Sequence, residues 1–207
     1  MEADPMSQAA AATHPSDPSA VAGEGTALLE IMLARAQRGE LAAFRDLIHA
    51  HQDLVYTLAL RMLKVPEDAE ELAQDVFVSA HRHLAKITCA AHLLFWLRRT
   101  VCHRAIDRLR RRPLHAALPL DTVAEVAVAD VSRDPLLERR LQDLVSRLPP
   151  MARAVVLLKY QEDLDPSEIA TTLDMPLNTV KSHLQRSLAS LRAGCGELRP
   201  IVAGSQP

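Results

Sequence analysis

The chain has 207 residues, of which 48% are hydrophobic and 24% charged, so it is long enough for one or two compact domains with ordinary cores. Its formal net charge is only -2, which means that any nucleic-acid binding must come from local basic patches. Three widely spaced cysteines and the lack of a charged-then-apolar leader argue against a disulfide-stapled secreted fold, and no apolar run approaches the ~20 residues of a membrane span. We therefore expect a cytoplasmic protein.

The first half of the chain has a helical pattern after a polar leader. Residues 1–25 are rich in Ala, Pro, Ser and Gly and have almost no large apolar side chains, so we expect them to be disordered. Over residues 26–112, apolar side chains recur at three-and-four spacing, which predicts helices. The first helix should end near Gly39 and the second before Pro66, where a third begins. No stretch of this half alternates with period two, and we expect no sheet.

The third predicted helix is acidic and has no lysine or arginine before Arg82. Acids suit the positive end of the helix dipole, so a solvated helix start explains them about as well as a binding surface does. DNA would be repelled by this surface. If the helix binds a partner, a basic protein surface is the better candidate.

The fourth predicted helix, which ends at Pro113, has the opposite charge: seven arginines accompany one acid, Asp107. Trp96 lies among the outward-facing arginines. This arrangement suits single-stranded or melted nucleic acid, because arginines follow the backbone and an aromatic face stacks on bases at ~1–3 kcal/mol per base. The alternative is that Trp96 belongs to the core and the arginines only keep the face soluble. Arg98 projects into the apolar side of the helix, for which the sequence offers no reason.

The second half is separated from the first by residues 113–133, which have small apolar side chains, scattered acids and no sustained helical stripe. We interpret them as a flexible linker. Helical patterning returns over residues 134–193, with a break at two consecutive prolines, and residues 194–207 are expected to form a flexible tail. The sequence thus predicts an all-α fold with two small helical domains, at 26–112 and 134–193.

Near the C-terminus, the sequence DPSEIATTLDMPLNTVKSHLQRSL has the parts of a helix-turn-helix. Asp165 can cap the first helix, and Asp174 stands in the turn, where a residue that tolerates a left-handed backbone is needed. Asn178 is expected to cap the second helix. The side of that helix opposite its apolar stripe is polar without being acidic. Most such faces are merely solvated, but together with the caps and the turn this one favours entry into the DNA major groove.

An acidic helix, an aromatic-basic helix, a linker and a C-terminal helix-turn-helix, in this order, resemble the extracytoplasmic-function (ECF) sigma factors, which are small two-domain bacterial sigma factors. PEDAEELAQDVFVSAHRHL is similar to their core-polymerase-binding segment, and FWLRRTVCHRAIDRLRRR to the segment that melts and reads the minus-ten promoter element. RLPPMARAVVLLKYQEDLDPSEIATTLDMPLNTVKSHLQRSLASLR is similar to the segment that reads the minus-thirty-five element. The resemblance covers residues 27–193.

The resemblance implies an alternative sigma factor that directs promoter-specific transcription initiation and has no catalytic residues, cofactor or metal. It implies that core polymerase binds Asp68, Glu70, Glu71, Gln74 and Asp75. The minus-ten strand would lie on or near Trp96, Arg99, His103, Asp107 and Arg108. The residues facing the minus-thirty-five groove would be Thr179, Lys181, Ser182, Gln185 and Arg186. Its partners would be core RNA polymerase, promoter DNA and an anti-sigma factor.

Two other interpretations stay open. A conventional helix-turn-helix regulator would explain the C-terminal half, but it would leave the acidic and Trp-Arg helices without a role. A metal-dependent enzyme or sensor could use the histidines and cysteines of the first half, namely His81, His83, Cys89, His92, Cys102 and His103. Such residues on helices are more often packing or surface residues, and no CxxC pair accompanies them.

Overall fold

The computed structural model describes residues 18–111 and 135–196, and within these ranges the chain forms eight α-helices and no strand. The helices are α1 (Pro18–Gln37), α2 (Leu41–Leu63), α3 (Pro66–His83), α4 (Ala90–Arg111), α5 (Pro135–Ser146), α6 (Pro150–Tyr160), α7 (Pro166–Leu173) and α8 (Leu177–Gly196). A short 3-10 turn, Leu84–Lys86, follows α3. The all-α fold class is confirmed. None of the described helices combines the length and hydropathy that a membrane span needs.

Local sequence signals set most of the helix boundaries. Proline begins α3, α6 and α7, because the first turn of a helix does not need its missing N–H and its φ is already helical. Left-handed residues follow three helices: Gly39 after α1 (φ 91°), Lys64 after α2 (φ 67°) and Asp174 after α7 (φ 54°). Each of them ends its helix by turning the chain out of the helical path.

Two boundaries differ from those expected. α1 begins at Pro18, inside the segment 1–25 predicted to be a leader, because proline suits a first turn and the alanines after it favour a helix. α8 runs past residue 193 to Gly196, and Gly194 packs directly against the Leu144 side chain of α5. Residues 1–17 and 197–207, and the predicted linker at 113–133, lie outside the described residues.

The core of the first half is centred on α2, which packs against α1, α3 and α4. Its largest fully buried side chains include Leu58 and Met62 of α2, Leu72 of α3 and Leu97 of α4. Burying each such side chain contributes ~1.5–3 kcal/mol relative to leaving it in water. The apolar sides predicted from helical spacing therefore supply this core.

In the second half, α6 and α8 pack together, and α7 packs on both of them. Val155, Leu158, Ile169 and Val180 are fully buried there. These residues belong to the same apolar cluster as Leu97 and the rest of the first core, because α4 also packs against α6 and α7 and α2 packs against α6. α4, the predicted minus-ten helix, is thus a helix of the first half that also packs against the second half.

Candidate nucleic-acid interface

The first helix of the helix-turn-helix has the predicted cap. The Asp165 carboxylate accepts hydrogen bonds from the backbone N–H groups of Ser167 at 2.7 Å and Glu168 at 2.9 Å. The Glu168 carboxylate in turn accepts the Asp165 N–H at 2.8 Å, which completes a capping box. The hydrogen bond from the Ser167 hydroxyl is the main reason why the pKa of Asp165 lies below its ordinary value. The prediction for Asp165 is confirmed.

The start of the second helix differs from the prediction. The backbone N–H groups of Thr179 and Val180 donate to the carbonyl of Pro176, at 2.9 and 3.2 Å, and α8 begins at Leu177. Asn178 therefore lies inside the first turn, where it is exposed, and the prediction that it caps the helix is wrong. The cause is Pro176, whose carbonyl accepts the first helical bonds before Asn178 is reached.

The outer side of α8 carries an exposed polar row, which consists of Lys181, Ser182, Gln185 and Arg186. Thr179, the fifth residue predicted there, is half-buried. The row follows helical spacing, so its members share one side. Arg186 lies back along the helix, with its Nε donating to the Ser182 carbonyl at 3.2 Å. Partial burial, followed by the charge of Arg186, lowers the pKa of His183.

The opposite side of α8 packs inward. Val180 is fully buried and Leu191 nearly so. Ser187 is also buried, at 2% exposure, although its hydroxyl gives no apolar signal in the sequence. The helix thus presents one packed side and one accessible polar side, which is the geometry that a recognition helix requires.

The residues predicted to bind polymerase share the outer side of α3. Glu70, Glu71, Gln74 and Asp75 are exposed, and Asp68 is half-buried. Their helix packs inward through Ala69, Leu72 and Val76 on its other side. An exposed acidic surface of this kind can form ion pairs with a basic partner.

Arg108 of α4 lies against this acidic side. Its guanidinium donates to the carboxylates of Glu71 at 3.2 Å and Asp75 at 2.8 Å, and to the backbone carbonyl of Asp68 at 3.3 Å. Arg108, which the resemblance assigns to the minus-ten strand, is thus paired within the protein with two of the acids that the resemblance assigns to polymerase binding. Beside it lies a cleft of about 270 Å³, lined by Asp75, Arg104, Asp107, Arg108 and Arg111.

Trp96 and His103, two other residues of the predicted minus-ten set, are only partly accessible. Trp96 is half-buried against the core, and its ring centroid is 5.5 Å from that of His83. One portion of Trp96 therefore packs against the core, as the alternative interpretation expected, and another portion remains exposed. The Nε2 atom of His103 is buried and finds no hydrogen-bond partner among the described residues. In contrast, Asp107 is exposed.

Arg99, the last of the minus-ten set, contacts the helix-turn-helix. Its NH1 donates to the carbonyls of Thr171 at 3.0 Å and Thr172 at 3.4 Å, which belong to the last turn of α7. Its NH2 lies 3.6 Å from the Asp174 carboxylate, which is 82% exposed. Ion pairs this exposed are worth ~0–1 kcal/mol, so this contact is weak by itself. The structure thus brings a residue of the minus-ten set against the helix-turn-helix.

Arg98 forms a stronger link between the halves. Its Nε lies 2.9 Å from Oε2 of Glu162, and the two side chains are 17% and 6% exposed. Removing one partner of a buried pair is costly, because the remaining charge stays in a poorly hydrated site. The position of Arg98 on the apolar side of α4 is thereby explained. Glu162 follows α6 and carries no local sequence pattern that marks it.

Arg153 makes the third contact between the halves, which was not predicted from the sequence. It is 7% exposed and donates to the carbonyl of Met62 near the end of α2, and to those of Ser146 and Leu148 around the end of α5. Burial lowers the pKa of its guanidinium. An arginine inside the apolar run of α6 is the only trace in the sequence of this role.

Among the described residues, the histidines and cysteines of the first half are not gathered into one cluster of metal ligands. Within the described ranges, no group of three or more His, Cys, Asp or Glu side chains is placed to hold a metal ion. Cys89 instead sits at the start of α4, where its sulfur accepts the backbone N–H of His92 at 3.4 Å. Burial raises the pKa of Cys102 to about 12, so its thiol stays protonated near neutral pH.

Comparison with known proteins identifies the family. Sigma-70 region 2 matches residues 47–113, and sigma-70, region 4 matches residues 138–191. ECF RNA polymerase sigma factor SigM of Mycobacterium tuberculosis (strain H37Rv) is 32% identical over 173 residues, which cover 83% of this chain and 86% of SigM. ECF RNA polymerase sigma factor SigW of Bacillus subtilis (strain 168) is 28% identical over 178 residues, 80% of this chain and 95% of SigW.

The solved structure of CnrH in complex with the cytosolic domain of CnrY has the same fold, with a TM-score of 0.62 at 22% identity over 83% of this chain and 99% of that chain. Taken together, these matches define a sigma factor of the sigma-70 class. More narrowly, the chain belongs to the ECF RNA polymerase sigma factors. It is an alternative sigma factor that directs promoter-specific transcription initiation, with core RNA polymerase and promoter DNA as its partners. The region 2 match covers the acidic and Trp-Arg helices that a conventional regulator would leave unexplained.

Proposed function

We propose that three helices divide the work of initiation: α3 binds core polymerase, α4 binds the melted minus-ten strand, and α8 reads the minus-thirty-five element. The observation that carries this proposal is the exposed polar row of α8, defined above. These side chains are accessible, lie on one side, and follow a capped first helix and a left-handed turn. That combination supports insertion of α8 into the major groove.

Within the row, the side chains have different chemistry. Arg186 can donate two parallel hydrogen bonds to a guanine edge, whereas Lys181 supplies a point charge suited to a phosphate. Ser182 and Gln185 can exchange hydrogen bonds with bases, and half-buried Thr179 can support the helix start against the backbone. Base selection would therefore come mainly from the arginine, and general affinity from the lysine.

On α3, Glu70 and Gln74 form the part of the polymerase-binding surface away from Arg108, and Asp68, Glu71 and Asp75 form the part beside it. The ion pairs of Arg108 with Glu71 and Asp75 are largely exposed, with the acids at 69% and 51%. Such pairs contribute little, ~0–1 kcal/mol, so a basic group of polymerase can replace Arg108 at small cost. Arg108 would then be free for the minus-ten strand.

On α4, the arginines would follow the backbone of the minus-ten strand, and the exposed part of Trp96 would stack on a base. His103 and Asp107 lie on the same stretch of helix and would contact the strand beside it. The chain itself would carry out no covalent chemistry, because strand separation can come from binding energy while polymerase makes the RNA. Its site of action would be the cytoplasm, where polymerase works.

The division of the chain also belongs to this proposal. Residues 26–112 would form the polymerase-binding and minus-ten unit, and residues 134–193 the minus-thirty-five unit, with 113–133 as the connection. We further propose an anti-sigma factor as a regulatory partner. CnrH, which shares the fold, was solved with the cytosolic domain of a second protein, CnrY.

The test is run-off transcription with core polymerase on fragments of the source genome. The proposal predicts specific transcripts that appear only when this chain is added. In a parallel binding experiment, duplex promoter DNA should bind the chain far more tightly with core polymerase than without it. Tight sequence-specific binding to duplex without core, and no transcript while another sigma factor activates the same core, would support the conventional regulator instead.

A further inference from the structure

A side chain of α1 holds the segment that connects α3 to α4. This connecting segment, residues 84–89, consists of the 3-10 turn and the three residues before α4. The Nε2 group of Gln37 donates to the backbone carbonyls of Leu84 at 3.0 Å and Ile87 at 2.7 Å. Leu84 and Ile87 are themselves buried in the core. The path of the connecting segment is therefore fixed by polar bonds from α1 as well as by apolar packing.

A second side chain of α1 fixes the start of α4. Oε1 of Glu30 accepts the backbone N–H of Ala90, the first residue of α4, at 2.8 Å. An N–H at this position has no partner within its own helix, and a carboxylate is favoured at the positive end of the helix dipole. Glu30 and Gln37 are two helical turns apart, so they lie on the same side of α1. One side of α1 thus holds both the connecting segment and the helix that follows it.

The connecting segment determines the surroundings of Trp96. His83, the last residue of α3, has its ring centroid 5.5 Å from that of Trp96, and its Nδ1 lies 2.9 Å from the Ser79 carbonyl of the same helix. At the other end of the segment, the Thr88 N–H donates to Nδ1 of His92 at 3.2 Å. His92 lies one turn before Trp96 on the same side of α4. Trp96 therefore lies between a histidine held by α3 and a histidine held by the connecting segment.

We propose that Glu30 and Gln37 are positioning residues for the minus-ten strand, which act by fixing the side of α4 on which Trp96 stacks a base. Neither residue would contact the strand. Stacking and base-edge hydrogen bonds depend on precise placement, so a Trp96 surface that is held loosely selects bases less well. The inference rests on the function proposed for α4, but the placement of Trp96 can be measured without DNA or polymerase.

Four variants separate hydrogen bonding from side-chain bulk. Gln37→Met and Glu30→Met remove the bonding groups but keep unbranched side chains of similar length. Gln37→Lys keeps a donor, and Glu30→Gln keeps an acceptor oxygen. All these residue types have similar helix propensities, so α1 itself should be unaffected. Gln52→Met, at an exposed position of α2, is the matched control.

The first measurement uses fluorescence of the free, full chain, in which Trp96 is the only tryptophan. Both Met variants should increase the quenching of its emission by acrylamide and shift the emission to longer wavelength, because the ring becomes more accessible to water. Gln37→Lys, Glu30→Gln and Gln52→Met should match the wild type. Wild-type quenching and emission in both Met variants would overturn the inference.

The second measurement uses promoter selection. A promoter found in the run-off experiment is randomised at the minus-ten element in one library and at the minus-thirty-five element in another, and both are transcribed with core polymerase. The Met variants should lower the base preference within the minus-ten element by about fivefold, the size of one lost base contact. Their preference at the minus-thirty-five element should not change. Gln37→Lys and Glu30→Gln should retain both preferences.

Three results of the library experiment would overturn the inference. The first is wild-type minus-ten preference in both Met variants. The second is an equal loss at both elements, which indicates a general loss of folded protein. The third is a failure of Gln37→Lys and Glu30→Gln to differ from the Met variants.

The outcomes also separate this inference from the proposed function. If the wild type selects promoters through the minus-ten element and the Met variants select them equally well, the inference fails and the proposed function stands. If the fluorescence changes as expected but the wild type transcribes no promoter, the anchoring of Trp96 by α1 stands and the proposed function fails.

Discussion

Arg98 and Glu162 lie 64 residues apart in the sequence, and their Nε and Oε2 atoms are 2.9 Å apart across the interface between the two halves. This pair joins the predicted minus-ten helix to the loop before the helix-turn-helix. Both side chains are mostly removed from solvent, at 17% and 6% exposure. The two halves are therefore associated through a specific buried contact in addition to the chain that connects them.

The buried Arg153 should be important for stability. Arg153→Met keeps most of the side-chain volume but leaves the carbonyls of Met62, Ser146 and Leu148 without this donor. Since an unsatisfied buried acceptor costs ~1–3 kcal/mol, we expect the free energy of unfolding in urea to fall by about 3 kcal/mol. Arg147→Met, at an exposed position on the same segment, should change it by less than ~0.5 kcal/mol. Equal effects of the two variants would contradict the contacts of Arg153.

The capping box of α7 should make part of the stability depend on pH. The folded-state pKa of Asp165 is lowered, so its contribution is fully present above the ordinary value of 3.8 and is lost as the pH falls through the lowered value. Urea unfolding at about pH 3 and pH 7 should therefore show a smaller pH effect in Asp165→Asn than in the wild type. Asp163→Asn, at the exposed neighbouring acid, should behave like the wild type. If Asp165→Asn loses as much unfolding free energy between pH 7 and pH 3 as the wild type does, the result would count against the cap.

The buried thiol should be protected from alkylation. Burial raises the pKa of Cys102 to about 12, so almost none of it is the reactive thiolate at neutral pH. Treatment of the folded protein with iodoacetamide should modify exposed Cys195 and leave Cys102 unmodified, as judged by peptide mass spectrometry. In denaturant, all three cysteines should react. Rapid modification of Cys102 in the folded protein would show that α4 is not packed as described.

Proteolysis tests the proposed division of the chain. Limited digestion should cut within residues 113–133 and leave two helical fragments. Because the core continues from Leu97 into Ile169, the fragments should co-elute in gel filtration and separate only in mild denaturant. Resistance to cleavage in this segment would oppose a linker, and immediate separation of the fragments would oppose the shared core.

Local features of the fold could be predicted from the sequence, because short-range signals determine them. Pro66 and Pro166 mark helix starts, Gly39 marks a helix end, and the Asp165 cap needs only the residues beside it. Asn178 shows the limit of such reasoning. Its type favours a cap, but the carbonyl that accepts the first bonds of α8 belongs to Pro176, and residue preference alone does not decide between neighbouring positions.

The contacts between the halves could not be predicted, because no periodicity relates residues so far apart. The sequence placed Arg98 on the apolar side of α4 but offered no reason for it, and nothing in the sequence identified Glu162 as its partner. Arg153 is similar, since its partners are backbone carbonyls, which every residue has. The assignment of Arg99 to DNA came from resemblance, which does not show that the same side chain caps α7 in the free protein.

The central claim is that the exposed row of α8 reads the minus-thirty-five element, and a promoter library transcribed with core polymerase tests it most directly. Arg186→Ala should weaken promoter binding by ~1–3 kcal/mol, because a bidentate contact to guanine is lost. It should also relax the base preference at one position of the element. Lys181→Ala should weaken binding to all promoters by a similar factor. It should also reduce the slope of log affinity against log salt concentration by about one. Both residues are exposed, so stability should change by less than ~0.5 kcal/mol. Wild-type selectivity and affinity in both variants would contradict the claim.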